Sequence, residues 1–162
     1  MGPARPGFVH PADGAQVRRL LAFFGPRVLY GLRGVEMRQA VDHGRPGMLL
    51  AALTQPGQAV LYEQPRPPWL FAGRLDEVSH QRLVRAGALV REAGGLTRVA
   101  WTAEALRDFM LFDGLMHEIG HHIIENNAGD GGARVMRTAD HEARADAFAA
   151  ACRRAWKAEG HW

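Results

Sequence analysis

Apolar positions recur along this chain with two different periods, and the change of period divides it into two parts. Near the start, Val17, Leu20, Leu21 and Phe24 repeat at helical spacing, which predicts a helix over 15–24 ended by Gly25-Pro26. The segments "RVLYGLRGVEMRQAV" (27–41) and "GMLLAALTQPGQAVLYEQ" (47–64) read as strands, and "QPGQ" at 55–58 predicts a hairpin turn inside the second. "PRPPW" at 65–69 predicts a break, because each proline removes a donor that a sheet ladder needs. A short helix is expected near 75–86, and "ALVREAGGLTRVAW" (88–101) predicts a second hairpin around Gly94-Gly95. Residues 1–14, with three prolines and three glycines, read as an irregular lead-in.

After Trp101 the pattern becomes helical. Thr102 suits an N-cap, and Glu104 stands in the first turn, where the helix dipole favours negative charge. Leu106, Phe109, Met110, Leu115, Met116, Ile119, Ile123 and Ile124 then extend the helix to Asn126-Asn127, with Gly129 beyond. "NNAGDGGARVMRT" reads as a flexible connection, and a final helix is expected over 139–157. No internal repeat or linker divides the chain. The expected fold is a single α+β domain over 1–162, strand-rich in its first half and helical in its second.

Composition narrows the function classes. Apolar residues make up 47% and charged residues 23%, as in soluble globular domains. The pI of 9.7 suggests a basic protein, but the net charge is only +3. The arginines that dominate the basic residues are spread along the chain, without the clustered stripe of a nucleic-acid binder. A nucleic-acid partner is therefore not expected. Cys152 is the only cysteine, which excludes an internal disulfide and suits a reducing cytoplasm. The "LLAFF" run at 20–24 is too short for a membrane span or a secretory core. Cytoplasmic localisation without a membrane partner is the expectation.

The chemistry concentrates in "HEIGHHIIENN" (117–127), which contains the pattern H-E-x-x-H at His117, Glu118 and His121. Residues i and i+4 lie one turn apart on one helix face, so two imidazoles at this spacing can grip one ion without bending the backbone. Chance matches to the pattern number roughly 0.02 in a chain of this composition. Imidazole nitrogen suits zinc, whose catalytic sites use three protein ligands and leave a place for water. Glu118, at the edge of that face, could reach such a water as a general base. The last helix offers the third ligand: Glu142 shares a face with Asp146, which could accept the free N–H of a ligating histidine. His141 is the rival ligand, about 100° round the helix from Glu142. Surface pairing of Glu142 and Asp146 with nearby arginines is the alternative to any metal role.

"HEIGHH" followed by "EARADAFAA" resembles the gluzincin metallopeptidases, and within them the ImmA/IrrE type, over about residues 102–152. The resemblance implies a small zincin-like fold with His117, His121 and Glu142 on zinc, Glu118 as catalytic base and Asp146 supporting a ligand. It implies hydrolysis of a peptide or protein substrate by a metal-activated water. Residues 1–100 carry nothing assignable to that family, and no helix-turn-helix module. The alternative is a zincin-like regulatory or protein-binding module without proteolytic activity.

Other positions have weaker readings. His122 points off the metal face and reads as structural. Asp113 could support a ligand or act as a local N-cap, and Gly120 suggests close approach of a second helix. Tyr62, His80, Arg134, Arg137 and His161 are the candidates for stabilising an oxyanion. Trp69, Trp101 and Trp156 read as core or wall residues. Residues 96–101 are the expected strand edge for an extended substrate.

Overall fold

In the computed structural model, which describes residues 3–40, 49–127 and 138–161, the first helical period becomes α1 (Gly14–Phe24). Asp13 caps it: its carboxylate accepts the Gln16 N–H, and the Gln16 side chain accepts the Asp13 N–H. Pro26 then opens a short helix, α2 (Pro26–Leu29). This corrects the strand expected over 27–41. Proline at the first helical position presets φ for a helix, so Val28 and Leu29 coil and strand β2 covers only Gly34–Arg38. Positions 41–48, across which the two expected strand segments end and begin, lie outside the described residues.

β3 (Ala51–Gln55) and β4 (Gln58–Tyr62) form the expected hairpin about Pro56-Gly57. Position 57 requires glycine, since its φ is +75° and a Cβ there would collide with the Gly31 carbonyl oxygen. The Gly57 carbonyl accepts the Arg33 N–H at 2.7 Å, which starts β2 alongside β4. β2 pairs with β4 in parallel, giving the order β2-β4-β3.

β1 (Phe8–Val9) pairs with β5 (Gln64–Pro65), which corrects two expectations. The lead-in is partly ordered into a strand, and Pro65 does sit in a ladder. It is tolerated because the Arg66 N–H donates to the Gly7 carbonyl at 2.9 Å, so by alternation the Pro65 nitrogen points away from β1, where the ladder needs no donor. The lead-in is also pinned by Arg5, whose backbone N–H and guanidinium both bind the fully buried Glu63.

A second sheet contains β6 (Trp69–Ala72), β7 (Leu89–Ala93) and β8 (Leu96–Ala100), with α3 (Glu77–Arg85) between β6 and β7. Its order is β6-β8-β7. The hairpin over 88–101 forms as expected, but its second strand has a neighbour on both sides. The free edge expected at 96–101 is therefore absent.

Thr102 caps the next helix by accepting the Ala105 N–H. That helix runs without a break from Ala103 to Asn127, but in three parts: α4 (Ala103–Asp108), a π-helical segment (Phe109–Met116) and α5 (His117–Asn127). The π segment is apolar nearly all round, and Phe109, Met110, Leu111, Phe112, Leu115 and Met116 are buried in the main core. Gly114 lets the sheet come close, because a Cβ there would stand 3.1 Å from the Leu50 Cβ. The last helix, α6 (Ala139–Ala158), is capped by Thr138 and buries Ala145, Ala149, Cys152 and Trp156. Among the described residues, no helix is long and apolar enough to cross a membrane.

Candidate metal centre

Two helices build the site. On α5, His117 and His121 follow each other by one turn, with ring centroids 4.8 Å apart and their Nε2 atoms 3.1 Å apart. On α6, Glu142 reaches across with both oxygens: Oε2 lies 3.3 Å from His117 Nε2, and Oε1 lies 3.3 Å from His121 Nε2. Asp146 sits one turn further along α6, its Oδ1 2.8 Å from His117 Nδ1. The Nδ1–H of His117 can donate to that carboxylate, which fixes the tautomer and leaves the Nε2 lone pair for the cluster.

These spacings suit a shared ion. Ligands about 2.0–2.1 Å from a tetrahedral zinc stand about 3.3 Å from one another, close to the separations found. Among the described residues, His117, His121 and Glu142 form the group whose ligand atoms lie near enough together to hold a metal. Two imidazole nitrogens and a carboxylate match zinc in chemistry as well. The site is set in a wall but open on one side: His121 is buried, while the Glu142 and Asp146 side chains are 46% and 71% exposed.

The close approach of α5 and α6 depends on small residues. A Cβ on Gly120 would meet the Ala145 Cα at 3.0 Å and its Cβ and carbonyl oxygen at 3.3 Å. Gly120 thus has the packing reason expected from its place between the two histidines. His141 is not in the metal-competent group; its backbone N–H bonds to the Thr138 cap.

Glu118 is buried, and its Oε2 accepts the backbone N–H of Leu53 on β3 at 3.2 Å. Sequence reasoning missed Leu53, since a backbone amide leaves no trace in residue type. β3 is an edge strand of its sheet. The Leu50 carbonyl accepts from Tyr62 on β4, so by alternation the backbone groups of Ala51 and Leu53 face outward. The strand edge beside the site is therefore β3.

The weaker candidates separate. His122 is buried, with Nε2 3.1 Å from the Tyr30 carbonyl and 3.0 Å from Asn126 Nδ2, a structural position that ties the segment after α2 to α5. Asp113 neither caps a helix nor supports a ligand. It pairs with Arg153 of α6 and, at 3.7 Å, with Arg82 of α3. His161 is corrected as an oxyanion candidate. It bonds Arg19 at 2.8 Å and packs on Trp156, which lies about 20 Å of helix beyond Glu142 at 1.5 Å per residue. Tyr62 is buried in β4 and His80 is half-buried on α3, with no contact to the cluster seen for either among the described residues. Arg134 and Arg137 lie outside the described residues. Trp69 and Trp156 are core residues, and Trp101 stacks on Phe109.

No family model matches this chain, and neither does any curated protein or solved structure.

Proposed function

We propose that this chain is a zinc-dependent metallopeptidase of zincin-like architecture, akin to the gluzincins and the ImmA/IrrE type. The observation that carries the reading is the convergence of His117, His121 and Glu142 at spacings of 3.1–3.3 Å, with Asp146 behind His117. A bound zinc ion would polarise the substrate carbonyl and acidify the attacking water. Glu118 takes the proton from that water and delivers it to the leaving amine. The Leu53 amide orients the Glu118 carboxylate for this transfer. An extended peptide lies along the outer edge of β3, where the Ala51 backbone faces outward, in place of the 96–101 strand first expected.

The test combines metal analysis with hydrolysis of a mixed peptide library. Purified protein should hold about one zinc per chain, and chelation should stop hydrolysis until zinc is returned. Glu118→Gln should keep the metal while hydrolysis nearly stops. Full activity in that variant would remove Glu118 as the base. Zinc binding unchanged by Glu142→Ala would remove the proposed centre. A protein that holds zinc but cleaves nothing is instead the regulatory or protein-binding module.

A further inference from the structure

The β2-β4-β3 sheet has a second open edge, away from the metal centre. The Arg38 carbonyl accepts the Glu63 N–H at 2.9 Å beyond the end of β4. Backbone groups alternate sides along a strand, so Gly34, Glu36 and Arg38 face β4 while Val35 and Met37 turn their N–H and C=O groups outward. Among the described residues, no strand pairs with that side. Beyond it lies a groove of about 680 Å³ between β2 and α1, lined by Val17, Leu21, Val35 and Met37 and bordered by Arg18. Such a volume falls within the range of about 300–1,000 Å³ typical of binding pockets.

Two features define what fits there. Outward-facing backbone groups call for another extended backbone, and an apolar floor calls for apolar side chains at alternate positions. The five residues of β2 give an edge about 16 Å long at about 3.3 Å per residue. The charge at the rim is positive. Glu36 is bonded to Arg38 at 2.7 Å, whereas Arg18 has no ion-pair partner among the described residues. A Cβ on Gly14 would stand 3.4 Å from Arg18 Nη1, so the guanidinium folds back over the first turn of α1 at the groove.

We propose that this groove docks an extended segment of a partner protein, added as a fourth strand at the β2 edge with a carboxylate side chain on Arg18. It lies three strand spacings, about 14 Å, from β3, so a segment bound here does not compete with one at the metal centre. The inference does not rest on the metal reading.

The test uses the full chain carrying Glu118→Gln, so that no peptide is consumed, and a displayed library of random ten-residue peptides. Peptides that also bind the same chain with Arg18→Glu are subtracted. The expected survivors alternate apolar residues and carry an Asp or Glu. Their binding should fall about tenfold or more with Arg18→Glu, about 1.4 kcal/mol, and should be unchanged by chelator. N-methylation of alternate peptide amides should weaken it similarly, because each removes a ladder donor. Arg18 is exposed, so its variant should fold, with an unchanged thermal midpoint as the check. Failure to recover any Arg18-dependent peptide overturns the proposal, as does binding indifferent to N-methylation. Concentration-dependent dimerisation abolished by Arg18→Glu would overturn it in favour of pairing between two copies.

Discussion

Replacing Gly120 by alanine sets two known effects against each other. Alanine gains about 1 kcal/mol over glycine inside a helix. At this position, however, the new methyl would meet the Ala145 Cα at 3.0 Å and its carbonyl oxygen at 3.3 Å, against about 3.5–4.0 Å for a relaxed carbon contact. Two of the three opposing atoms are backbone of a 20-residue helix, so no side-chain rotation relieves the clash and α6 itself must shift. Overpacking of this kind costs about 1–3 kcal/mol, leaving a net loss of up to about 2 kcal/mol. At about 2–4 °C per kcal/mol for a chain of this size, the melting midpoint of metal-free protein falls by up to about 8 °C. Glu142 and Asp146 lie three residues before and one residue after Ala145 on the same helix, so the shift carries them with it, and metal sites tolerate only about 0.2 Å. Zinc affinity, measured by competition with a chromophoric chelator, should fall about tenfold, or 1.4 kcal/mol. If Gly120→Ala instead raised the midpoint by 2–4 °C, as propensity alone requires, with zinc affinity unchanged, the described contact between α5 and α6 would be wrong.

Three further outcomes follow from the same structure. Asp146→Asn should lower zinc affinity about 10–100-fold by weakening the support of His117, while metal-free stability stays nearly constant because Asp146 is exposed. Asp113→Ala should cost about 2 kcal/mol in urea unfolding by stranding Arg153 and Arg82, yet leave zinc affinity unchanged; a large loss of affinity would revive a ligand-supporting role. Glu63 gives a pH dependence. Burial pushes its carboxyl up, but hydrogen bonds from the Arg5 backbone and guanidinium, the Arg5 charge and the Ala40 N–H outweigh this and hold it below its ordinary value. The folded state then binds fewer protons than the unfolded state near pH 4, so this stabilisation is present above the unfolded pKa of about 4.3 and is lost as pH falls below it. Glu63→Gln should flatten stability against pH in that acid range, and an unchanged acid slope would refute the role of the Arg5 contact.

What the chain's residues determine alone is mostly local. Both hairpins, the Thr102 cap, the span of α6 and the metal-competent group of His117, His121 and Glu142 were all legible from spacing. Helical periodicity places i and i+4 on one face whatever the rest of the chain does, and Gly120 marked where a second helix must come near. Tertiary structure decided the rest, because it depends on groups that residue type does not encode. The backbone amide of Leu53 on Glu118, the β3 edge chosen over 96–101, and the pairing of Pro65 with Phe8 arise from which strands become neighbours. The π segment before His117, apolar and buried in the core, also carries no mark in residue type that separates it from an ordinary α-helix. Asp113, one turn before His117, finds its partner in Arg153 of α6, which only the packing of the two helices supplies.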